Sequence, residues 1–237
     1  EDASRVVEEI FRAEGIAVRT HADCIHLEQR GGEITVGLEC NEGAPHLAGA
    51  HVLLAVGRVP NTDDLNLGAA GVALDEHGYI PVDDELRTSV SGIYALGDCN
   101  GRGGFTHTSY NDFEIVAENL LDGGSRRVSD RIYAAATYID PPLARVGMSE
   151  EQVRRRGRPA LLGMRPMTRV SRAIEKGETF GYIKVLVDAE TRKILGGTVF
   201  GTGGDEAVHC ILPAMYARQA AELLTHSVHI HPTVAEL

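Results

Sequence analysis

The 237-residue chain carries a formal net charge of −11, because 34 acidic residues outnumber 23 lysines and arginines. This balance repels phosphate backbones and acidic membrane surfaces, so we expect neither nucleic acid nor membrane as a partner. No apolar run approaches the roughly 18 residues of a spanning helix, and residues 1–5 lack the basic start and apolar core of a signal peptide. We therefore expect a cytoplasmic protein.

The cysteines and histidines show neither a disulfide nor a metal pattern. The four cysteines are Cys24, Cys40, Cys99 and Cys210, and no two of them are closer than 16 residues. The sequence therefore contains no Cys-x-x-Cys pair and no cysteine spacing typical of a zinc site. The cluster of His226, His229 and His231 has no carboxylate or Cys partner at fixed spacing, so we expect no metal. Cys99 has no resolving thiol nearby, and we expect it to be structural.

The opening residues predict a helix. Gly15 is expected to end this helix. Its apolar residues fall at helical spacing: Val6, Val7, Ile10 and Phe11. A short strand is expected next, at residues 16–18. A hairpin should follow, with strands at 24–27 and 34–36 and a turn at 30–32 between them.

An apolar run at residues 51–57 ends in glycine and predicts a buried strand. Helix, strand, hairpin and strand are the order of elements in part of an α/β domain. The polar, turn-rich segment 59–63 then predicts a domain boundary, which places the first domain at residues 1–60.

The second stretch, residues 61–128, predicts a strand and a helix. The strand covers 92–96 and stops at Gly97 and Asp98. The helix covers 109–121 and has one apolar face: Phe113, Val116, Ala117, Leu120 and Leu121.

The third stretch, residues 129–237, predicts a separate α+β domain. Its elements are a strand, a capped helix, a hairpin and a long helix: 133–138, 149–156, 182–187 with 194–200, and 205 to about 224. The glycines of 201–206 begin like a dinucleotide fingerprint, but Glu206 stands where the third glycine belongs. We therefore expect a glycine-rich turn that leads into a capped helix.

The run of residues 88–98 carries the strongest chemical signal. It is a Thr-led turn, an apolar strand and a terminal Gly97-Asp98 pair. An aspartate at the carboxyl end of a parallel strand points into the crevice where nucleotide cofactors lie, and its carboxylate can accept hydrogen bonds from ribityl hydroxyls. The turn at 56–61, taken alone, is an ordinary end of a strand.

Four segments together resemble the pyridine nucleotide-disulfide oxidoreductases, in family order. Residues 57–61 resemble the junction after their NAD(P) domain, and 88–98 resemble their second FAD-binding motif. Residues 140–150 resemble the start of their dimerisation domain, and 229–236 resemble their active-site His-Pro segment. The family includes glutathione reductase, dihydrolipoamide dehydrogenase and mercuric reductase, and 103–110 look most like the mercuric reductase branch.

The resemblance implies a fold: partial NAD(P)- and FAD-binding Rossmann-like domains at 1–60 and 61–128, followed by an α+β dimerisation domain at 129–237. It implies that Asp98 binds the ribityl chain of FAD. It also implies cofactor-binding roles for Gly97, Gly57 and Arg58.

The resemblance assigns catalysis to the end of the chain. His231 would be the general acid/base at the redox-active disulfide of a partner subunit in a homodimer, and Glu236 would hold its imidazole. A histidine that titrates near neutrality suits thiol-disulfide exchange, because the leaving thiolate needs a proton. A different reading remains open, because Thr233 and Glu236 also have the spacing of a helix capping box.

The implied activity is electron transfer from NAD(P)H through FAD to a disulfide or metal-ion substrate. The first FAD loop, the Cys-x4-Cys disulfide and the NAD(P) glycine motif are not in this sequence, so we expect a C-terminal fragment, inactive alone and without bound cofactor. Three alternatives stay open: a disulfide reductase, a mercuric-ion reductase, or a flavin oxidase or transhydrogenase without the disulfide. A fourth is a dimerisation fragment with no catalytic role.

Overall fold

The computed structural model describes residues 2–39 and 44–236 and divides the chain into two compact units, 1–58 and 59–237. The first unit contains one helix and one sheet. Helix α1 (Asp2–Ala13) buries Val6 and Ile10 on one side, which confirms the predicted helix. The sheet contains β1 (Asp23–Arg30), β2 (Glu33–Glu39) and β3 (His46–Gly49) in antiparallel order, and the predicted hairpin is confirmed.

Two strands predicted for the first unit are wrong. Residues 16–18 and 51–57 are irregular, and the side chains of Leu53 and Val56 are each 90% exposed. An apolar run becomes a buried strand only where neighbouring strands pair with it and other elements cover its faces. Among the described residues, no strand pairs with either segment.

The second unit begins with a loop-rich stretch around two small apolar clusters, one of Val72, Ile80 and Ala95 and one of Leu86, Ile115 and Val128. The predicted strand at 92–96 is wrong. A single antiparallel bridge joins Tyr94 to Arg87, and a 3-10 helix, Gly97–Asn100, follows.

Helix α2 (Thr106–Leu121) confirms the helix predicted at 109–121, although it starts three residues earlier. Its predicted apolar face is mostly wrong, since of its five residues only Val116 packs against a buried cluster in the described part of the chain. The buried side chains are Thr108, Asp112 and Ile115, whereas Phe113, Leu120 and Leu121 are exposed. The polar residue Asp112 favours this orientation, because its buried carboxylate accepts hydrogen bonds from Gly97 and Asn100 in the 3-10 helix that precedes α2.

The rest of the second unit is built on a five-stranded antiparallel sheet in the order β4-β5-β8-β7-β6. Its strands are β4 (Ala134–Thr137), β5 (Leu143–Gly147), β6 (Ala160–Pro166), β7 (Tyr182–Asp188) and β8 (Ile194–Phe200). The predicted strand at 133–138 and the β7–β8 hairpin are confirmed. Gly196 allows close packing in β8, since a Cβ there would lie 2.1 Å from the carbonyl oxygen of Met148.

Short helices cover this sheet. Helix α3 (Glu150–Arg155) confirms the capped helix, because the amide of Gln152 donates to Oγ of Ser149 and the amide of Ser149 donates to Oε1 of Gln152. Helix α4 (Ser171–Lys176) follows β6. A glycine-rich turn leads into α5 (Gly204–Ala207), as predicted, but the predicted cap is wrong, because the N-cap residue Gly203 makes no side-chain hydrogen bond to the helix.

The long helix predicted from 205 to about 224 is wrong, because three short helices take its place: α5, α6 (Ile211–Tyr216) and α7 (Glu222–His226). The nitrogen of Pro213 has no hydrogen to donate to the carbonyl oxygen of His209, and its ring clashes with that carbonyl. A 3-10 helix, Val208–Cys210, connects α5 to α6 instead of a continuous α-helix. After α6 the chain turns at Arg218, whose φ is +53°. No helix in the described part of the chain is long and apolar enough to cross a membrane.

Candidate functional site

The predicted pair of His231 and Glu236 comes together in the segment after α7. Nδ1 of His231 lies 3.0 Å from both carboxylate oxygens of Glu236. The imidazole is 69% exposed, whereas the glutamate side chain is only 14% exposed. An ionised carboxylate only accepts hydrogen bonds, so the Nδ1 proton faces Glu236 and Nε2 is the atom left to exchange protons.

Local hydrogen bonds hold the loop that carries this pair. The hydroxyl of Thr233 donates to the carbonyl oxygen of Ile230 at 2.7 Å, and Nε2 of His229 lies 2.9 Å from the carbonyl oxygen of Leu224. Val234 packs into the main core. The side chains of Thr233 and Glu236 therefore make bonds other than those of a capping box, and they position the imidazole at the surface.

An apolar cavity of about 370 Å³ lies beside the pair. It is lined by residues of β6, β7 and β8, of the helices α5 to α7, and of the loop that carries Glu236. Its wall is mainly aliphatic, so Glu236 has protein rather than water on one side. A carboxylate in such surroundings gains from a charged partner, which favours its contact with His231.

The predicted cofactor residues Gly97 and Asp98 lie at the start of the 3-10 helix Gly97–Asn100. Gly97 has a φ of +77°, and a Cβ there would lie 3.0 Å from Oγ of Ser109, so glycine suits this position in two ways. The carboxylate of Asp98 is exposed and accepts a 3.3 Å hydrogen bond from Oγ of Ser109. An oriented, accessible carboxylate of this kind can accept hydrogen bonds from a ligand's hydroxyls.

Sequence reasoning missed Asp112, which holds this turn in place. Its Oδ2 accepts hydrogen bonds of 2.9 Å from the amide of Gly97 and from Nδ2 of Asn100. Its Oδ1 is paired with Nη2 of Arg131. A polar residue on an amphipathic helix is ordinarily assigned to the solvent face, and the only signal here was its helical spacing from Thr108 and Ile115.

Gly57 and Arg58 end the first unit, and both are exposed. The φ of Gly57 is +131°, a conformation that favours glycine. Their role at a cofactor stays a prediction.

Cys99 lies next to Asp98 and is half-buried. Burial is the main cause that raises the pKa of its thiol, and its Sγ lies 3.3 Å from the carbonyl oxygen of Leu96, to which it donates. A thiol with a raised pKa is protonated at neutral pH, and protonated thiols are poor nucleophiles. In residues 2–39 and 44–236, no three His, Cys, Asp or Glu side chains are grouped as a metal site would require.

Two family models match almost all of this chain. The model described as "Pyridine nucleotide-disulphide oxidoreductase" matches residues 1–112, and that described as "Pyridine nucleotide-disulphide oxidoreductase, dimerisation domain" matches residues 133–237. The chain belongs to the pyridine nucleotide-disulphide oxidoreductases. Both the family expected from the sequence and its combination of Rossmann-like and dimerisation domains are therefore confirmed.

Relatives within this family carry different activities in their names. Dihydrolipoyl dehydrogenase of Mycobacterium tuberculosis is 31% identical, over 99% of this chain and 51% of its own length. The probable pyridine nucleotide-disulfide oxidoreductase RclA of Escherichia coli is 32% identical, over 96% of this chain and 51% of its own length. Mercuric reductase of Staphylococcus aureus is 29% identical, over 99% of this chain and 43% of its own length. The mercuric reductase branch is thus not favoured over the others.

A solved structure shows the same fold. The Cu(II) complex of a mutant of the HOCl-induced flavoprotein disulfide reductase RclA from Escherichia coli superposes with a TM-score of 0.91 at 30% identity and covers 98% of this chain and 52% of that one. The chain therefore spans about half the length of these relatives.

Proposed function

We propose that this chain supplies the proton-transfer and dimerisation half of a flavin-dependent oxidoreductase that uses NAD(P)H to reduce a disulfide or metal-ion substrate. The observation that carries the proposal is the contact of Glu236 with Nδ1 of His231, which leaves an exposed imidazole able to exchange protons through Nε2. The domain limits 1–60, 61–128 and 129–237 belong to this proposal.

His231 acts at sulfur in this proposal. When a thiolate attacks a disulfide, one S–S bond breaks, a mixed disulfide forms and the departing sulfur carries the electron pair as a thiolate. The imidazolium of His231 gives its Nε2 proton to that sulfur and becomes neutral. Glu236 holds the ring by Nδ1 throughout and stabilises its charged form.

Asp98 is the residue proposed to hold FAD, and the local arrangement fits that role. Its carboxylate is exposed, and Gly97 before it is tied to Asp112 by a 2.9 Å hydrogen bond, so the acceptor is accessible and fixed. FAD, when bound, would supply electron transfer from NAD(P)H to the disulfide. Gly57 and Arg58 are proposed to border the nicotinamide dinucleotide.

The protein is proposed to act as a homodimer through residues 129–237, so that His231 serves the partner's disulfide. Support comes from the dimerisation-domain model that matches 133–237 and from the 69% exposure of an imidazole whose role requires access. Sedimentation of the purified protein should give a dimer, and a strict monomer at high concentration would count against this arrangement. The net charge of −11 supports the proposal that neither nucleic acid nor a membrane is a partner. We also propose a cytoplasmic location and a small-molecule or disulfide substrate.

The decisive experiment replaces His231 by Gln in the purified whole oxidoreductase of which this chain is proposed to be one half. Disulfide turnover with NAD(P)H should fall about 10²- to 10⁴-fold, the usual effect of losing a general acid/base. Flavin content and melting temperature should stay at wild-type values, because this side chain is largely exposed.

His77 offers a matched control, since its Nε2 lies 3.5 Å from a carboxylate oxygen of Glu76 and its side chain is 73% exposed. His77→Gln should leave turnover unchanged. Normal turnover in His231→Gln would remove this imidazole from the mechanism, and added imidazole should partly restore His231→Ala.

A further inference from the structure

A second cavity of the second unit gathers arginines. It has a volume of about 500 Å³ and lies where the segment before β4 meets the end of α6. Four arginines are among the residues that line it: Arg126, Arg127, Arg131 and Arg218. Asp130 is the one carboxylate in its described lining, and the cavity shares no lining residue with the cavity beside Glu236. Such a concentration of positive charge is unusual in a chain of net charge −11.

Two of the four arginines form ion pairs with carboxylates. Arg126 pairs with Glu118 at 3.2 Å and with Glu114 at 3.7 Å, and Arg131 pairs with Asp112. Within the described residues, Arg127 and Arg218 have no carboxylate oxygen within 4.0 Å of their guanidinium nitrogens. The charge of Arg127 contributes, after a hydrogen bond from Ser129, to the lowered pKa of Asp84, but it forms no ion pair there. The guanidinium groups of Arg127 and Arg218 can therefore still contact a ligand.

Backbone hydrogen bonds fix the segment that carries two of these arginines. A one-turn 3-10 helix, Val128–Asp130, separates Arg127 from Arg131. Asp84 holds this helix, because its backbone carbonyl accepts from the amide of Val128 and its Oδ1 accepts from the amide of Ser129, each at 2.9 Å. The amide of Arg127 donates to Oδ2 of Asp130 at 3.1 Å. The backbone positions of Arg127 and Arg131 are thus fixed at the two ends of this 3-10 helix.

The side chain of Arg131 is held by hydrogen bonds, but one of its guanidinium nitrogens has no hydrogen-bond partner in the described part of the chain. Its Nε donates to Oδ1 of Asn111 at 2.9 Å, its Nη2 is paired with Asp112, and its side chain is 13% exposed. Its Nη1 is buried and has no hydrogen-bond partner among the described residues. The hydroxyl of Tyr216 accepts from the amide of Ile132 at 3.1 Å, which leaves its proton free to donate.

We propose that this arginine cavity binds a phosphorylated anion, with a diphosphate group as the recognised chemistry. Guanidinium groups bind phosphate oxygens in pairs of hydrogen bonds, and several arginines around one concavity match a group with several charged oxygens. A volume of about 500 Å³ falls in the range of small-molecule sites. The diphosphate is either free or carried by a nucleoside. This inference stands apart from the proposed redox function.

Calorimetric titration of the purified protein with inorganic pyrophosphate tests the site. We expect saturable binding that weakens as sodium chloride is raised from about 50 to about 200 mM, because accessible charges are screened by salt. The variant Arg127→Gln/Arg218→Gln removes the two guanidinium charges that form no ion pair in the part of the chain that the structure describes, and it should bind pyrophosphate at least about tenfold more weakly. Arg156→Gln/Arg165→Gln is the matched control, since both arginines are exposed and form no ion pair within the described residues, and it should bind like wild type.

The same titration with ADP separates the two sources of diphosphate, because tighter binding of ADP indicates a nucleoside carrier and tighter binding of pyrophosphate indicates the free anion. Absence of pyrophosphate binding, or equal affinity in wild type and Arg127→Gln/Arg218→Gln, overturns the proposal. A KM for NAD(P)H that rises in parallel with the loss of pyrophosphate affinity also overturns it, because the arginines would then belong to the coenzyme site. Disulfide turnover, measured separately, reports on His231 alone.

Discussion

Both carboxylate oxygens of Glu236 lie 3.0 Å from Nδ1 of His231. The two side chains differ in exposure, since the imidazole projects into solvent while the carboxylate lies against an apolar cavity. This asymmetry separates their tasks: Glu236 orients the ring, and His231 offers Nε2 to a substrate. Glu236 is therefore a positioning residue that acts through the histidine.

Replacing Glu236 by Gln tests that division of tasks. The amide keeps the size of the side chain but removes the charge that stabilises the imidazolium, so kcat should fall about 10- to 100-fold, a typical cost of losing a partner that orients a histidine. KM for the disulfide should change little. Glu76→Gln, beside His77, is the control and should have no effect. If Glu236→Gln has wild-type kcat, the contact is structural only.

Asp98→Ala tests the proposed flavin contact. Loss of a charge-assisted hydrogen bond to a ribityl hydroxyl should weaken FAD binding about tenfold or more, measured by flavin release during dialysis. The melting temperature of the flavin-free protein should change little, because the carboxylate is exposed and its hydrogen bond from Oγ of Ser109 is long, at 3.3 Å. Asp64→Ala removes another exposed aspartate and should leave flavin content normal. Full flavin retention in Asp98→Ala contradicts the assignment.

Local patterns predicted the elements that depend on local chemistry. The turn at 30–32, the hairpin of β7 and β8, and the Ser149 cap of α3 were all predicted, because turn residues and capping groups satisfy nearby backbone atoms. The contact of His231 with Glu236 was implied by the family resemblance, whereas the local spacing of Thr233 and Glu236 pointed to a helix capping box.

The wrong predictions concern segments whose secondary structure or orientation depends on residues far away in the sequence. The apolar run 51–57 has no paired strand among the described residues, and α2 turns Asp112 inward because that carboxylate bonds Gly97 and Arg131. The arginine cavity combines residues 126–131 with Arg218, far apart in sequence. Hydrophobic periodicity reports which face of an element is apolar, and it carries no information on such long-range polar contacts.

Cys99 should react slowly with alkylating reagents. Burial raises the pKa of its thiol, so the nucleophilic thiolate is scarce at pH 7 and its rate should rise only when the pH exceeds the ordinary thiol range. Cys210 is exposed and serves as an internal reference within the same molecule. Peptide mapping after a short iodoacetamide pulse should show Cys210 modified before Cys99. Cys99→Ser should keep full turnover, and a large loss would make this thiol part of the redox chemistry.

Asp188 should make folding stability depend on pH in the acidic range. Its Oδ1 accepts hydrogen bonds from the amides of Thr191 and Glu190 at 2.8 and 3.1 Å in the β7–β8 turn. The bond from Thr191 is the main cause that lowers its pKa, although burial opposes it. The folded state thus favours the charged carboxylate.

The direction of the pH effect follows from this lowered pKa. The stabilisation is complete above the unfolded value of about 4 and is lost as the pH falls through the folded value below it. Urea unfolding should therefore show Asp188→Asn less stable than wild type at pH 7, with a difference that shrinks below about pH 4. Asp64→Asn, an exposed control, should unfold like wild type at both values. A difference for Asp188→Asn that persists unchanged at about pH 2 would mean that the charge of Asp188 contributes nothing.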